Sequence, residues 1–573
     1  MKKYSFFGSI LFLATTLTLS CNTGSGNKKP ISDQEIGAVN VDQKIDTNEH
    51  KYTITKRDLS VTSANAFNDI FLDSMAMEHY ISSNGLENKQ IGLRIRSFYN
   101  ARNYQYAWFS SSGPSESARF FWNQYDYAVN HLKDSTIANK IFSRKAEYYM
   151  NQEEFTVNKN DSSLLQTEFG FTETFIRFIN STYERGYVKR KELEKFIPIQ
   201  KVDPLTMADS LLNKKHKDDK YYEDVNDMYG DLKKQLSLYA AIARSGGWNR
   251  VTLVKGTLKK GQTDDQVPLI KNRLRMTLDL LGNDSSAVFD DTLLTAILRF
   301  QQRHGYKADG VITPSLVKEM NVPAEWRLMQ LLINMNRMRW MPQKPSGNLI
   351  IVNIPEFILH VYDGRKQLFE MAVVVGKETN NTMMFNGDLS QVIFSPYWNI
   401  PSSIAEKEIL PALKRNPNYL KKKNMEMVGG RIRQKPGPGN SLGKVKFVFP
   451  NSYSIYFHDT PSKGLFNENK RAFSHGCIRL SQPQKMAEWL LKDDPDWTRE
   501  KIVEAMNAGK EKAVALKKRV PVFIIYYTAW VDGNGLLHFR DDIYGHDQEL
   551  YSRMFNNVNP AVNTPTKPSE ATE

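Results

Sequence analysis

The sequence predicts a multidomain α+β protein with a helical N-terminal scaffold, a small helical domain and a β-rich C-terminal domain that carries an insertion. Two different patterns of apolar residues, one before and one after the middle of the chain, indicate this architecture. Up to about residue 255 the apolar side chains recur at three- and four-residue spacings, as on one face of a helix. From Leu349 onward they form short alternating runs separated by Gly, Asn, Pro and Asp, as strands do. The 573 residues are enough for about three or four domains of ordinary size.

Composition indicates a globular protein with anionic partners. Hydrophobic residues make up 40% of the chain and charged residues 24%, which excludes a disordered chain. Lys and Arg number 77 against 63 Asp and Glu, which gives a formal charge of +14. Such an excess favours nucleic acid, a membrane surface or an acidic polymer, and charge alone does not distinguish among them.

The N-terminus indicates export. An apolar run from Phe6 to Leu19 follows a short lysine-bearing start and is too short to span a bilayer stably. The run ends at Cys21 and resembles a bacterial lipoprotein signal, which implies that residues 1–20 are a signal peptide and that Cys21 is lipidated after cleavage. An ordinary signal peptide cut near Cys21 is the alternative. Either signal counts against nucleic acid as the partner, because the protein leaves the cytoplasm.

Residues 21–60 are polar and without periodicity, which predicts a flexible tether between the anchor and the folded domains. No later stretch reaches the roughly 18 apolar residues that a membrane-spanning helix needs. We therefore expect a protein of the bacterial cell envelope that faces the periplasm and contacts the membrane through its N-terminal lipid.

Residues 61–255 are predicted to form the helical scaffold domain. Phe171, Phe175 and Phe178 illustrate the helical spacing of its aromatic residues, which is typical of a packed core. Nothing in this region forms a chemical motif. Residues 323–346 read as a helix that links the middle of the chain to the C-terminal domain.

Residues 256–322 form the small helical domain. Phe300-Gln301 ends a helical run, and Asp309-Gly310 supplies the positive-φ residue that a tight turn requires. Together they resemble the small three-helix peptidoglycan-binding domain, whose signature is a Phe-Gln pair followed by an Asp-Gly turn. The resemblance implies peptidoglycan glycan as a partner. The sequence leaves open whether this domain binds glycan or supports its neighbours.

Residues 347–546 are predicted to be the β-rich domain, with one clear helix at 484–491 and a tail at 547–573. Residues 398–444 interrupt the strand pattern with a stretch rich in Lys, Arg, Gly and Pro. Long insertions in compact domains are often binding loops or lids, and we interpret this one as a lid, with a solvated basic loop as the alternative. The predicted strands are 350–354, 357–362, 369–375, 391–394, 446–449, 454–457 and 522–527.

Cys477 is the strongest candidate for chemistry. It is one of two cysteines and ends the segment Ser474-His475-Gly476-Cys477, with His458 standing 19 residues earlier in a strand-like run. The thiolate is the nucleophilic form of cysteine, and a neighbouring imidazole can generate it at neutral pH. If the other cysteine carries lipid, no disulfide partner remains. This pattern predicts a cysteine acyl-transfer enzyme, provided that the thiol is neither structural nor a metal ligand.

The spacing from His458 to the Ser-His-Gly-Cys segment resembles the signature of the YkuD-type L,D-transpeptidases. Arg479, two residues after Cys477, matches a common variant of that signature. With the export signal and the peptidoglycan-binding-like domain, the chain resembles the large, lid-bearing subclass of this family. The resemblance implies a β-rich catalytic domain, peptidoglycan stems as substrate, and neither a cofactor nor a metal.

The resemblance also implies a reaction. Cys477 would attack the carbonyl of the third residue of a tetrapeptide stem and release the terminal D-alanine. His458 would act as the general base, with its ring oriented by the backbone carbonyl of Asp459. The thioester would pass to an amine of a neighbouring stem, which gives a 3-3 cross-link without ATP.

Further site residues follow from the same resemblance. The backbone amides of Gly476 and the next residue would bind the oxyanion, and His475 would assist them or orient the loop. Arg479, Arg471 and Ser474 are predicted to contact the substrate, since a guanidinium fork suits a carboxylate. Salt bridges within the loop are the alternative for the two arginines, and local bonding is the alternative for Ser474.

Other functions stay open at this point. His458, His475 and Cys477 could form a zinc site, although no HExxH spacing accompanies them. A papain-like cysteine peptidase or an L,D-carboxypeptidase would trim the same stems, and a free D-amino acid as acceptor would give exchange. A non-catalytic peptidoglycan-binding lipoprotein belongs to a different class. Other wall-synthesis proteins are further candidate partners.

Overall fold

The computed structural model describes residues 53–152, 157, 161–183, 196–213, 223, 227–253, 256–341 and 347–556. The predicted signal peptide, Cys21 and most of the predicted tether lie outside these residues. Within the described ranges, no helix has the length and apolar character that crossing a membrane requires.

The N-terminal part is helical, as predicted, and its helices enclose an aromatic core. The ring of Trp108 lies 5.4 Å, between centroids, from the rings of Phe121 and Phe171. Ser115 and Asn139 cap two of the helices with their side-chain oxygens. The helices are α1 (Ser74–Ser83), α2 (Gln90–Ala101), α3 (Glu116–Asp126), α4 (Lys140–Met150), α5 (Ser162–Tyr183), α6 (Pro204–Leu212) and α7 (Asp227–Arg244). The ribbon of β1 (Phe109–Ser110) and β2 (Gly113–Pro114) precedes α3, and the π-helical turn Tyr127–His131 continues it.

A separate core holds the helices of the small middle region together. These helices are α8 (Val267–Met276), α9 (Asp291–Arg303) and α10 (Pro314–Met320). The Gln301 side chain donates to Asp309 Oδ1 at 2.9 Å and accepts from the Gly310 amide at 2.8 Å. Gly310 has a φ of +73°, and a Cβ at this position would collide with Leu294. The Phe-Gln and Asp-Gly pairs of the sequence therefore fix the turn between α9 and α10.

The predicted linking helix joins the scaffold to the C-terminal domain. This helix, α11 (Ala324–Arg339), is buried along most of its length. Its Arg337 donates to Glu116 of α3 at 2.7 Å and to Asp547 near the C-terminus. Both the guanidinium and the two carboxylates are buried. The helix thus lies in the interior, and its Arg337 joins Glu116 of the scaffold to Asp547 near the C-terminus.

The chain beyond residue 546 does not begin as a tail. Helix α17 (His546–Met554) buries Leu550, Tyr551 and Met554 against the scaffold core. Its apolar residues at i, i+1 and i+4 form one helical face, which explains why the segment packs. The predicted boundary at 547 is therefore too early, and the residues from 557 onward lie outside the description.

The C-terminal domain is built on a nine-stranded mixed sheet. The strands of this domain, including three in the insertion, are β3 (Asn348–Asn353), β4 (Ile358–Asp363), β5 (Lys366–Gly376), β6 (Phe385–Phe394), β7 (Trp398–Asn399), β8 (Met425–Val428), β9 (Arg431–Gln434), β10 (Val445–Val448), β11 (Phe457–His458), β12 (Ala472–Ser474), β13 (Ile478–Leu480), β14 (Lys512–Ile525), β15 (Ala529–Val531) and β16 (Leu537–Phe539). The order across the large sheet is β12-β5-β13-β11-β10-β6-β14-β3-β4. An additional pairing of β4 with β5 closes the sheet on itself.

Strand β3 and the second half of β14, residues 520–525, are buried on both faces. Ile350 and Val352 point into the core of the C-terminal domain. Leu349 and Ile351 alternate with them and belong to the core that the scaffold helices share. Phe523 of β14 lies in the same shared core. Two-sided burial explains why these strands are nearly continuous apolar runs rather than alternating ones.

The insertion at 398–444 folds as an ordered subdomain and not as a solvated loop. Its strands pair in the order β7-β9-β8. A helical run follows β7, and its segments are α12 (Ser402–Ile404), the π-helical turn Ala405–Ile409, α13 (Leu410–Arg415) and α14 (Tyr419–Lys422). Ile400, Ile409, Met425 and Ile432 form its own small core. Such a core lets the subdomain hold a fixed shape above the sheet from which it departs.

Local elements differ from the predictions in several places. Strands β6 and β14 begin at Phe385 and Lys512, well before the predicted 391 and 522, and β12, β13, β15 and β16 were not predicted. The strand expected at 454–457 is reduced to β11, because Asn451 accepts hydrogen bonds from the amides of Tyr453 and Ile455 and holds a turn there. Two helices follow β13, and only the first of them was predicted. They are α15 (Pro483–Leu490) and α16 (Arg499–Asn507).

Candidate active site

The two residues singled out by the sequence lie on one face of the sheet. β11 and β13 run parallel, and His458 is opposite Arg479 in their register. On its other side His458 is opposite Lys446 of β10. Side chains alternate along a strand, so Cys477 shares the face of Arg479, and Tyr456 shares the face of His458. We call these five residues the site face.

His458 is held as a neutral base. Its side chain is buried, and Nδ1 lies 2.5 Å from the carbonyl oxygen of Asp459. Burial lowers the pKa of His458 to about 3, and the Arg479 cation adds to this effect. Because a carbonyl oxygen only accepts, Nδ1 carries the hydrogen and Nε2 keeps its lone pair. A general base requires this tautomer.

The Asp459 side chain fixes the carbonyl that orients the histidine. Its carboxylate accepts from the backbone amides of Lys444 at 2.8 Å and Thr460 at 2.7 Å. Lys463 forms an ion pair with it at 2.5 Å. Gly443 has a φ of +62°, and any Cβ there would overlap the Asp459 carboxylate. Glycine is therefore required for the close approach that holds Asp459.

Cys477 is a free thiol that is only partly exposed. Burial raises the pKa of this thiol above its usual value, and hydrogen bonds from Tyr456 oppose the shift. The positive charges of Arg479 and Lys446 oppose it as well. At neutral pH the resting site therefore pairs a thiol with a neutral imidazole, and the proton must move during the attack.

Cys477 and His458 are diagonal neighbours across the β11–β13 pair. This relation places their Cα atoms roughly 7–8 Å apart, within reach of side chains as long as histidine. In the described part of the chain no direct hydrogen bond joins them. Catalytic hydrogen bonds are often long in the free enzyme and form only when substrate is bound. The arrangement can thus serve a base and its nucleophile.

The loop before Cys477 is fastened by Ser474. Its hydroxyl donates to the Cys477 carbonyl at 2.6 Å and accepts from the Gly476 amide at 3.1 Å. Local bonding of this kind is the alternative stated for Ser474, and its substrate contact stays a prediction. The same bonding also occupies the Gly476 amide, which was predicted to bind an oxyanion. Among the described residues the Cys477 amide has no partner, so it is the available donor.

The comparison with family models decides the identity of this domain. The model for the L,D-transpeptidase catalytic domain, named YkuD, matches residues 347–504, which include the whole site face. The chain carries a YkuD-type L,D-transpeptidase catalytic domain. A second model, described as a scaffold domain, matches residues 94–236. The L,D-transpeptidase domain thus follows a region with its own family match.

Relatives point the same way. A curated Haemophilus influenzae protein, named as a proposed L,D-transpeptidase, is 31% identical over 290 residues, which are 46% of this chain. The match spans 57% of that relative's length, so somewhat more than half of it is covered.

Two L,D-transpeptidases are among the solved structures with which the chain was matched, both at low identity and low TM-score. One, from Xylanimonas cellulosilytica, is 12% identical, with 48% of this chain and all 100% of that chain covered and a TM-score of 0.16. Another, from Stackebrandtia nassauensis, is 13% identical, with coverage of 48% and 97% and a TM-score of 0.21.

The insertion of the L,D-transpeptidase domain touches the site face at Tyr456 and the loop before Cys477 at His475. The Trp398 side chain acts as a hydrogen-bond donor toward Tyr456 and opposes the rise that burial causes in the pKa of this phenol. His475 Nε2 lies 2.8 Å from a carboxylate oxygen of Glu408, and both side chains are largely exposed. His475 is therefore directed toward the insertion.

The two predicted substrate arginines lie in different surroundings. Arg479 has no hydrogen-bond or ion-pair partner among the described residues, and its buried Nε is unsatisfied. Arg471 instead donates to the backbone carbonyls of Val373, Glu468 and Phe357. These bonds give Arg471 a role in holding the loop that precedes β12. They go to backbone carbonyls and are not the salt bridges stated as the alternative, and the substrate contact of Arg471 stays a prediction.

Sequence reasoning missed Tyr456 and Lys446. The signal for Tyr456 was present, because it stands two residues before His458 and a strand places both on one face. Lys446 could be found only from the pairing of β10 with β11, which the sequence does not specify. As for metals, the described ranges contain no cluster of three His, Cys, Asp or Glu side chains suited to hold an ion.

The buried imidazole of His458 predicts a pH dependence of stability. Its folded pKa of about 3 lies below the ordinary value of 6.5, so the unfolded state binds the proton first as the pH falls. The contribution of His458 to the free energy of unfolding is at its maximum above pH 6.5 and decreases by about 1.4 kcal/mol per pH unit below it. His458→Gln should therefore reduce the loss of unfolding free energy between pH 7 and pH 5 by about 2 kcal/mol, measured by urea denaturation.

His546 offers a matched comparison for this experiment. Burial lowers its pKa to about 3 as well, although it lies outside the site face. His546→Gln should flatten the pH dependence to a similar extent. If the His458 variant loses stability between the two pH values as steeply as the unmodified protein, the buried-neutral assignment is wrong.

Proposed function

We propose that this protein is a peptidoglycan L,D-transpeptidase with Cys477 as the nucleophile and His458 as the base. The observation that carries the proposal is the site face itself. A partly exposed thiol and a neutral imidazole of fixed tautomer share one face of two parallel strands, inside the region that matches the YkuD family. This is the pairing that acyl transfer through a thioester requires.

The first half-reaction forms the acyl-enzyme. Cys477 Sγ attacks the carbonyl carbon of the third stem residue while His458 Nε2 takes the thiol proton. The Cys477 amide donates to the oxyanion. The Tyr456 hydroxyl, whose hydrogen bonding opposes the rise in the pKa of the thiol, stands beside the sulfur. The imidazolium then returns its proton to the leaving nitrogen, the C–N bond breaks, and D-alanine departs.

The second half-reaction transfers the acyl group. The side-chain amine of a neighbouring stem attacks the thioester, and His458 accepts a proton from that amine. The C–S bond breaks, the new amide forms, and Cys477 recovers its proton from the imidazolium. One amide replaces another, so the step needs no external energy source.

Incubation of the purified protein with tetrapeptide-bearing wall fragments tests the proposal, with the products read by mass spectrometry. A cross-linked dimer that has lost one D-alanine is expected, and Cys477→Ala should form none. Tripeptides would indicate transfer to water, and incorporation of an added D-amino acid would indicate exchange. A Cys477→Ala variant with full activity would overturn the assignment of the nucleophile.

We also propose that the insertion acts as a lid over the site face. Its contacts with Tyr456 and His475 support this, since both adjoin the nucleophile.

Trp398→Phe keeps an aromatic ring but removes the hydrogen bond to Tyr456, and it should lower kcat/KM about tenfold, the value of one buried hydrogen bond. Glu408→Gln weakens only an exposed pair and should change kcat/KM less than about threefold. Steady-state D-alanine release measures both, and the reverse ranking would contradict the role of Trp398.

We also propose that the protein is exported, lipidated and bound to peptidoglycan glycan. Export, lipidation at Cys21 and a periplasm-facing position rest on the N-terminal sequence, and mass analysis of the membrane-extracted protein would detect the lipid. Glycan binding by residues 256–322 is supported by a cleft of about 1490 Å³ between this region and the catalytic domain. Trp248, Tyr306 and Lys307 line it on one side. If the cleft holds the glycan, Tyr306→Ala should lower the fraction of the protein that sediments with insoluble peptidoglycan.

A further inference from the structure

The peptide bond between Gly476 and Cys477 is held from its carbonyl side. The Gly476 oxygen accepts a hydrogen bond from the hydroxyl of Thr382 at 2.8 Å, and Thr382 is buried. A trans peptide is planar, so its N–H points opposite to its C=O. Anchoring the Gly476 carbonyl therefore sets the direction of the Cys477 amide. This amide is the donor that remains for an oxyanion, since the Gly476 amide donates to Ser474.

The side chain of Thr382 is itself fixed by its neighbours. Its hydroxyl accepts from the Gly376 amide at 2.9 Å, which leaves its single hydrogen for the Gly476 carbonyl. The backbone amide of Thr382 donates to the Tyr544 hydroxyl at 3.3 Å. The same hydroxyl donates to the Gly376 carbonyl at 2.6 Å. Thr382 is thus tied to the end of β5 through both its side chain and its backbone.

The approach of Thr382 to β5 requires a glycine at position 376. The chain leaves β5 at Gly376, passes through the 3-10 turn Glu378–Asn380 and returns to the strand end. A Cβ on Gly376 would collide with the Asn380 carbonyl and would lie 2.9 Å from the Thr382 nitrogen. Gly376 is also opposite Ser474 in the register of β5 with β12. The returning chain therefore brings Thr382 to the loop that precedes the nucleophile.

We propose that Thr382 is a positioning residue for acyl transfer: by holding the Gly476 carbonyl, it directs the Cys477 amide toward the oxyanion. When the sulfur adds to the stem carbonyl, the π electrons of the C=O bond move to its oxygen. A donor that already points there stabilises this charge without reorganisation. The bond from Thr382 also polarises the peptide and strengthens its N–H as a donor. The inference rests on the proposed function and adds a residue far from the nucleophile in the chain.

The competing role for Thr382 is structural support of the nucleophile loop. Loss of such support would disturb the thiol and its base, and it would slow every reaction of Cys477. Loss of a directed oxyanion donor would slow only reactions in which a carbonyl carbon is attacked. Iodoacetamide forms a C–S bond at a saturated carbon and expels iodide while the base takes the thiol proton, so no oxyanion arises. Comparison of acyl transfer with alkylation therefore separates the two roles.

The experiment uses the full protein and measures two rates for each variant. One is D-alanine release from a tetrapeptide wall fragment, and the other is alkylation of Cys477 by iodoacetamide, read by peptide mass. Thr382→Val keeps the shape of the side chain and removes the hydroxyl. It should lower D-alanine release by about 10- to 100-fold, less than the loss of about 10²- to 10³-fold that deletion of an oxyanion donor causes. Alkylation should stay within about twofold of the unmodified rate, because the thiol and its base are unchanged.

Two further readouts depend on the role of the hydroxyl. In Thr382→Val, kcat and kcat/KM should fall by the same factor, because the directed amide acts in the transition state and not in substrate binding. Thr382→Ser keeps the hydroxyl and should retain D-alanine release within about threefold. Tyr544→Phe removes the bond to the Thr382 amide but leaves the Thr382 hydroxyl in place. It should lower release by about 3- to 10-fold, and it replaces Thr382→Val as the test if thermal unfolding shows that the valine variant does not fold.

Thr172→Val is the matched control. Thr172 is a buried threonine of α5, and its hydroxyl accepts from the Trp108 indole at 2.8 Å, far from the site face in the scaffold. This variant loses a buried hydroxyl of the same kind and should leave both rates unchanged.

The outcomes are distinct. Equal slowing of release and alkylation in Thr382→Val would overturn the inference in favour of structural support. Unchanged release in this variant would overturn it as well, and both results would leave the proposed function intact. Normal alkylation without any D-alanine release by the unmodified protein would count against the proposed function, and the inference would fall with it.

Discussion

A His458→Gln variant is expected to lose about 10²- to 10⁴-fold in kcat/KM for D-alanine release, the range that a positioned general base contributes. Glutamine is similar in size and can still donate to the Asp459 carbonyl, so the local structure should persist. It has no lone pair of comparable basicity to take the Cys477 proton. Because burial raises the pKa of that thiol, little thiolate exists without a base. Steady-state release from a tetrapeptide donor at neutral pH measures the loss.

The matched variant is His79→Gln, which removes an exposed histidine of α1. Its activity should equal that of the unmodified protein. Alkylation of denatured His458→Gln should give one modified Cys477, which shows that the nucleophile is chemically intact. Retention of more than a third of the activity by His458→Gln would exclude His458 as the base.

Arg337→Leu is expected to destabilise the protein by about 3–5 kcal/mol, because it leaves two buried carboxylates without their cation. Arg337 contacts Glu116 of the scaffold and Asp547 of α17, and the three side chains are nearly inaccessible. Thermal unfolding followed by fluorescence should show the loss as a clear fall in Tm. Adding Glu116→Gln and Asp547→Asn should recover part of it, since neutral amides cost less to bury than unpaired carboxylates.

Arg365→Leu provides the contrast for that experiment. Arg365 pairs with Asp227 at 3.3 Å on the surface, where its side chain is 87% exposed. An exposed pair of this kind contributes at most about 1 kcal/mol, so Tm should hardly change. Similar losses for Arg337→Leu and Arg365→Leu would show that the buried network does not hold the scaffold to the catalytic domain.

The sequence predicted the elements of the site better than their arrangement. His458 and Cys477 could be named from their spacing, and the helical-to-strand change near Leu349 could be read from periodicity. Their placement on one face depends on the parallel register of β11 and β13, which joins residues far apart in the chain. Register of this kind is set by packing across the whole sheet, so a local pattern cannot supply it.

Two further differences have physical explanations. The Gly476 amide is predicted to bind an oxyanion, and in the structure it donates to the Ser474 hydroxyl, two residues away. Its oxyanion role stays a prediction. The sequence predicts a tail at 547–573. Leu550 and Met554 nevertheless stand four residues apart, the helical spacing that buries them.

Burial of β3 and of the second half of β14 on both faces limits how the catalytic domain can be moved into another protein. Ile350 and Leu349, adjacent in the chain, belong to two different cores, one inside the barrel and one under the scaffold helices. A cut between residues 346 and 347 would remove the scaffold helices. The apolar side chains on the outer face of the closed sheet would then be exposed to water. The catalytic domain is therefore not an interchangeable cassette, and a transplanted version needs either the helices or a redesigned, polar outer wall.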